Sequence, residues 1–148
     1  MSLHVHANLK MRPPSETKVV QPHIVSLFRS AGCQADSTSQ YRASHIVQGF
    51  PDLVVFAPAI LKMFFFEVKS YLAEWTNDRG VRIRFNPFDE ATWHPKPLEP
   101  AQVRFRERIL TCGQLHYWGG VPEARATLVE LGLAHRGERG TFYLGRPR

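Results

Sequence analysis

The stretch that most restricts the fold is GFPDLVVFAPAILKMFFFEVKS, residues 49–70. Two apolar runs, 53–56 and 63–68, flank a break at 57–62 that contains Pro58. Both runs are rich in Val and Phe, as in strands buried on both faces. The segment therefore reads as a β-hairpin. Folded about its centre, it sets residues whose numbers sum to 119 opposite one another, which brings Asp52 against Glu67. Opposing Cβ atoms in an antiparallel pair stand about 4.5–5.5 Å apart. Two like charges at that spacing are unfavourable unless something positive lies between them. A divalent cation meets that need, and Mg2+ takes one or two carboxylates together with water and substrate phosphate.

The strand period puts Lys69 on the face of Glu67 and turns the Val68 side chain to the opposite face, leaving the Val68 carbonyl within reach of the same ion. A divalent ion lowers the pKa of a water and so supplies hydroxide for attack on phosphorus. An ammonium beside it orients that water or offsets charge on the phosphoryl oxygens. The competing reading has Asp52 capping a turn after Pro51, with Glu67 and Lys69 as an exposed strand-end pair. An E-x-K triplet is common by chance. The pairing of Pro51-Asp52 with that triplet across a hairpin of this length favours the shared ion.

Elsewhere the pattern is that of one α/β domain, which is the default for 148 residues. Residues 1–14 read as an irregular arm. Ser15 is placed to cap a helix with Glu16 in its first turn. Val19, Val20, Ile24, Leu27, Phe28 and Ala31 follow at helical spacing. Pro22 either kinks this helix or restarts it, and Gly32 stops it. Residues 33–48 are polar and rich in Ser, with a first strand expected at 41–47. Helices are expected at 100–112 and 122–131, ended by Gly113 and Gly132, and strands at 115–118 and 141–144. The domain spans 15–145, with a basic tail at 146–148. Residues 71–97 read as an insertion, a hairpin or flap, in which Val81, Ile83 and Phe85 alternate with Arg82 and Arg84.

Nineteen Lys and Arg against thirteen Asp and Glu give a net charge of +6 and a pI near 9.7. Arginine's planar fork suits phosphate, so nucleic acid is the expected partner. Arg79, Arg82 and Arg84 in the insertion are the better contact candidates. Arg104 is a further candidate, although Arg104, Arg106 and Arg108 occupy more than one helix face. Tyr71, Trp75, Phe85, Phe88 and Trp93 either stack on bases or pack the insertion onto its domain, and packing is favoured. The two cysteines, Cys33 and Cys112, form no C-x-x-C pattern, which argues against thiolate zinc. His4 and His6 read as incidental. No apolar run reaches the ~20 residues of a membrane span, and no signal peptide is visible. The expectation is a cytoplasmic protein without a membrane partner.

Pro51-Asp52 followed by Glu67-Val68-Lys69 resembles the PD-(D/E)XK nuclease signature. Gly49-Phe50-Pro51-Asp52-Leu53 resembles the G-x-P-D-hydrophobic block of the VRR-NUC branch. Leu98-Glu99-Pro100-Ala101-Gln102, with a helix ending near Gly113, resembles that branch's second block. The small stand-alone phage and bacterial type is the nearest in kind, over residues 15–131. The resemblance implies a restriction-endonuclease-like core, with a mixed central β-sheet flanked by helices. It implies Mg2+- or Mn2+-dependent endonuclease cleavage of DNA phosphodiesters. It carries metal binding onto Asp52, Glu67 and the Val68 carbonyl, with Glu16 acting through water, and the catalytic lysine onto Lys69. Gln102 shares a helical stripe with Phe105, Ile109 and Cys112. It would be a local cap on its residues alone, and the resemblance makes it a site residue. Arg42 matches a position where relatives carry basic or polar groups. Small members pair as homodimers and suit branched DNA such as four-way junctions or flaps. The long 71–97 segment departs from the shorter link of relatives. Two alternatives stand beside this reading: a sequence-reading restriction-like nuclease, and a non-catalytic DNA-binding subunit. The intact trio Asp52, Glu67 and Lys69 argues against the second.

Overall fold

The Ser15 hydroxyl accepts a hydrogen bond from the Lys18 amide at 3.2 Å and so caps the first helical segment. The computed structural model describes residues 12–38 and 48–147. A π-helical turn at Glu16–Val20 leads directly into α1, Gln21–Ser30. Pro22 falls in the first turn of α1, where its missing N–H leaves no bond unmade. The proline thus restarts the helix. Gly32, at φ 83°, ends this segment.

β1, Gln34–Ser37, comes earlier than the strand expected at 41–47, which lies outside the described residues together with Arg42 and the arm up to residue 11. Its sequence QADS has no strand-like run, and only Ala35 is buried. Its strand conformation comes from antiparallel pairing with β2, Leu53–Ala57, from Gln34↔Phe56 to Ser37↔Leu53. β2 turns through a short 3-10 segment, Pro58–Ile60, and Leu61 at φ 55° into β3, Lys62–Val68. The β2–β3 register runs from Leu53↔Phe66 to Ala57↔Lys62, every pair summing to 119. Burial on both faces does not extend along β2, because Phe56 is 42% exposed.

Helix α2, Pro100–Thr111, returns the chain to β6, Leu115–Gly119, which pairs parallel to β3. The result is a four-stranded mixed sheet in the order β1-β2-β3-β6. Phe64, Phe66 and Val68 point to one face, where the Phe28 ring of α1 lies 5.4 Å from both phenylalanine rings. Phe65 and Glu67 point to the other. There the Phe50 ring sits 5.9 Å from Phe65 and 5.1 Å from Phe105 of α2. α3, Val121–Glu130, contacts α1 and β6. On α2, Ile109 is buried, whereas Cys112 is exposed and leaves the expected apolar stripe. The chain closes with β7, Ala134–Arg136, and β8, Phe142–Leu144, which form their own antiparallel hairpin. The expected last strand exists, with β7 rather than the main sheet as its partner.

Residues 71–97 form a two-stranded hairpin, β4, Glu74–Thr76, and β5, Arg82–Arg84, followed by a 3-10 turn. The root of the segment is closed by a Tyr71↔Pro95 bridge and by the Lys96 amide on the Ser70 carbonyl at 2.9 Å. Tyr71, Phe85 and Trp93 stack on one another, with centroids 5.1–6.0 Å apart. The Tyr71 hydroxyl accepts from the Val121 amide at 2.8 Å. These aromatics pack the segment onto the domain, while Phe88 stands 84% exposed. No helix among the described residues is long and apolar enough to cross a membrane.

Candidate active site

The hairpin register carries the two acids together one step past the last paired residues, Leu53 and Phe66. Asp52 is held on both sides. Its Oδ2 accepts from the Val68 amide at 2.9 Å, and its carbonyl accepts from the Thr38 amide at 2.9 Å. The Thr38 hydroxyl also donates to the Pro51 carbonyl at 2.6 Å. The Pro51-Asp52 step is therefore fixed before any ligand arrives.

Glu67 is 3% exposed. Its Oε1 accepts from Gln102 Nε2 at 2.6 Å, and its buried Oε2 has no hydrogen-bond donor. Burial pushes the Glu67 carboxyl up to about 9, and the neighbouring Asp52 carboxyl acts in the same direction. Lys69 opposes the rise, and Glu16 adds to it. Two carboxyls this close hold either a proton or a cation between them.

Gln102 performs both of the functions weighed for it. Its Oε1 accepts from the Glu99 amide at 2.8 Å, capping α2, while its Nε2 reaches Glu67. A side-chain amide has a donor end and an acceptor end, so one residue serves both. Gly49 sets the approach of α2. It lies at φ 88°, and a Cβ there would stand 2.2 Å from the Ala101 carbonyl oxygen. Only a glycine lets the chain before Pro51 pass this close to the first turn of α2.

Lys69 is 6% exposed, and its amide bonds the Gly119 carbonyl at 2.8 Å in continuation of the β3–β6 ladder. Its ammonium has no ion-pair partner within 4.0 Å among the described residues. Glu16 Oε1 accepts from the Ser70 amide at 3.3 Å, and the Ser70 hydroxyl donates to the Pro14 carbonyl. The first helical segment is thereby tied to the end of β3, and the influence of Glu16 on Glu67 is one of charge.

The donors suit a hard divalent cation: two carboxylates, with an unpartnered Oε2 on one, and the carbonyl of the intervening Val68. Among the described residues, no group of three His, Cys, Asp or Glu side chains is placed to hold a metal by itself. Water and a substrate oxygen would complete the shell, the usual way Mg2+ is held.

The remaining sequence-expected residues lie elsewhere. Arg104 is exposed on α2, two residues and hence about 200° around the helix from Gln102. Arg82 and Arg84 both face Glu74 across β4–β5, at 2.7 and 3.6 Å from its Oε1. Arg79 is exposed in the turn between those strands. Thr38 and Ser70 escaped the sequence reading. A lone Thr in a polar stretch and a Ser after E-x-K carry no pattern, because their roles come from partners 13 and 56 residues away. Compared with known proteins, the chain matches no family model, no curated protein and no solved structure.

Proposed function

We propose that this chain is a metal-dependent DNA endonuclease with a PD-(D/E)XK core of the VRR-NUC kind, hydrolysing phosphodiester bonds. The observation that carries the proposal is the buried Glu67 carboxyl beside the half-buried Asp52, with an unpartnered Glu67 Oε2 and the Lys69 charge acting on it. Burying Glu67 together with an ammonium that has no ion-pair partner among the described residues costs solvation that a purely structural core does not recover. The four-stranded mixed sheet, with α2 over the site face and α1 behind, is compatible with a restriction-endonuclease-like core.

A cation held by Asp52, Glu67 and the Val68 carbonyl would supply charge neutralisation at phosphate and acidify a water. The chain's own groups do the rest. The Val68 amide holds Asp52 in its orientation, and Gln102 holds Glu67. The Lys69 ammonium, turned to the same face as Glu67, binds a non-bridging phosphate oxygen and steadies the charge that develops there. Glu16, fixed by the Ser70 amide, accepts a hydrogen bond from the attacking water. Ser70, the serine next to Lys69, has its hydroxyl committed to the Pro14 carbonyl, and attack is assigned to water. One such site cuts one strand, and a homodimer would supply the two cuts that a four-way junction needs.

The test is a cleavage panel on supercoiled plasmid and on linear, flapped and four-way DNA. Cutting is expected with Mg2+ or Mn2+ and suppression with Ca2+. Glu67→Gln and Lys69→Ala should lose cutting and retain binding. Equal cutting in excess chelator would overturn the mechanism. Binding without cutting of any of these DNAs would leave a non-catalytic DNA-binding module in its place.

A further inference from the structure

A cleft of about 380 Å³ lies along β6, which is the edge strand beside β3. Tyr117 and Trp118 both line it. Successive strand residues point to opposite faces. The rest of the lining comes from α2 on one face, through Arg106, and from α3 on the other, with Glu123 and Glu130. The cleft therefore wraps the sheet edge. Trp118 is the register partner of Glu67, so the two side chains share a face on strands about 4.8 Å apart. Arg106 follows Gln102 by four residues, which sets it on the same face of α2 about 6 Å further along. Trp118 and Arg106 are thus the wall of the cleft nearest the acids.

Arg106 has no partner of its own there. Its Nε is buried without a hydrogen-bond acceptor, and its guanidinium makes no ion pair among the described residues. The acids of the cleft act elsewhere. Glu123 Oε1 accepts from the Gly120 amide at 2.8 Å, and Glu130, after burial, raises the pKa of the Tyr117 hydroxyl. His116, a neighbour of Arg106 on the strand, has its pKa lowered by burial and then by the Arg106 charge. A buried donor without an acceptor costs stability, so the fold gains nothing from this arginine in this position.

We infer that Arg106 is a positioning residue that grips a backbone phosphate next to the scissile one, with the strand to be cut lying across Trp118. The inference rests on the nuclease reading and adds a residue to that same site. A guanidinium fork pairs with two non-bridging oxygens of one phosphate. Glu123 and Glu130 on the α3 wall repel a second phosphate, so the grip is limited to one. A phosphate contact fixes the position of the strand and carries no base identity. Arg106 therefore acts by holding the neighbouring phosphate over the Asp52–Glu67 end of the hairpin, without touching the reacting atoms.

The test compares the full wild-type chain with Arg106→Met and Arg106→Lys. DNA binding is read by fluorescence anisotropy in Ca2+ over a range of salt. Arg106→Met should bind about tenfold more weakly at low salt, and the slope of log affinity against log salt should shrink by about one unit, the signature of one lost phosphate contact. Arg106→Lys keeps the charge without the fork, so the slope should return while affinity stays reduced. The melting temperature of Arg106→Met should hold or rise, because an unpartnered buried donor is removed. In Mg2+, a single methylphosphonate beside a mapped cut should slow wild-type cleavage there about tenfold and change Arg106→Met little further. An unchanged salt slope, a fall in the melting temperature of Arg106→Met, or an equal methylphosphonate effect in both chains would overturn the inference. The salt slope needs no hydrolysis, so the two proposals fail separately. A chain that cuts DNA while Arg106→Met leaves the slope intact keeps the nuclease and loses the grip. A reduced slope in a chain that cuts nothing keeps the phosphate contact and loses the nuclease.

Discussion

Gln102 Nε2 donates to Glu67 Oε1 at 2.6 Å, joining the first turn of α2 to the end of β3 across 35 residues of sequence. The other end of the same amide closes the helix cap on Glu99. Gln102→Ala should therefore show two separable losses: about 1 kcal/mol of stability from the cap, and about 10- to 100-fold in cleavage from the freed Glu67. Gln102→Glu keeps an acceptor for the Glu99 amide but sets a third acid against Asp52 and Glu67. Cleavage should fall while helix stability is largely kept. Thermal unfolding read beside cleavage rates checks both, and equal activity of Gln102→Ala and wild type would remove Gln102 from the site.

Gly49→Ala tests the approach of α2. The added Cβ would meet the Ala101 carbonyl at 2.2 Å, at a φ of 88° that L side chains rarely adopt. The expected cost is about 1–3 kcal/mol, with cleavage falling further than stability because Gln102 moves with the helix turn. Denaturant unfolding gives the first quantity and cleavage the second. Gly113→Ala is a useful contrast. It shares a positive φ of 78° but has no atom within 4 Å of the added Cβ, so it should cost stability and spare the site.

The Glu67 carboxyl makes stability depend on pH in a direction opposite to the usual carboxylate. Its folded value is raised from 4.5 to about 9, chiefly by burial and by Asp52. Between these values the folded chain holds a proton that the unfolded chain has released, so stability falls as pH rises. In chelator, the melting temperature should decline from pH 5 to pH 9. Mg2+ or Mn2+ should restore it most at the alkaline end, where the acids are ionised and bind the cation. Glu67→Gln should flatten the decline and abolish the metal effect. A melting temperature indifferent to both metal and pH in wild type would sink the shared-cation site.

His116 acts at the other end of the scale. It is 3% exposed, pairs with Phe65 in the ladder, and its Nδ1 has no partner. Burial, and then the nearby Arg106 charge, lowers its pKa from 6.5 to about 4. The stability present above pH 6.5 is lost as pH falls toward 4, because the unfolded chain takes up the proton first. The loss should be on the order of 3 kcal/mol. His116→Leu should remove that acid-side slope, as read from denaturant midpoints at pH 4.5 and 7.

The parts of the molecule that were legible beforehand share a local cause. The hairpin register follows from the length of its turn and from the two-residue period, so Asp52 and Glu67 could be paired on paper. The helix ends at Gly32, Gly113 and Gly132 follow from backbone freedom that glycine alone provides. β1 was illegible because QADS buries one side chain and becomes a strand only by pairing with β2, 16 to 22 residues away. β7 was missed for the same reason, since three residues with one buried have no period to detect. The arginines of β5 looked like free cations until Glu74 appeared across the hairpin from them.

The amino-acid sequence by itself determined which side chains alternate on each strand, where the helices stop, and that two acids and a lysine share one hairpin end. Those are consequences of covalent spacing and short-range sterics. Only the tertiary structure decided that Glu67 is buried and that Gln102 and Glu16 converge near it from other elements. Burial and desolvation depend on which distant surfaces exclude water together, and that is set by packing across the whole chain rather than by any one segment.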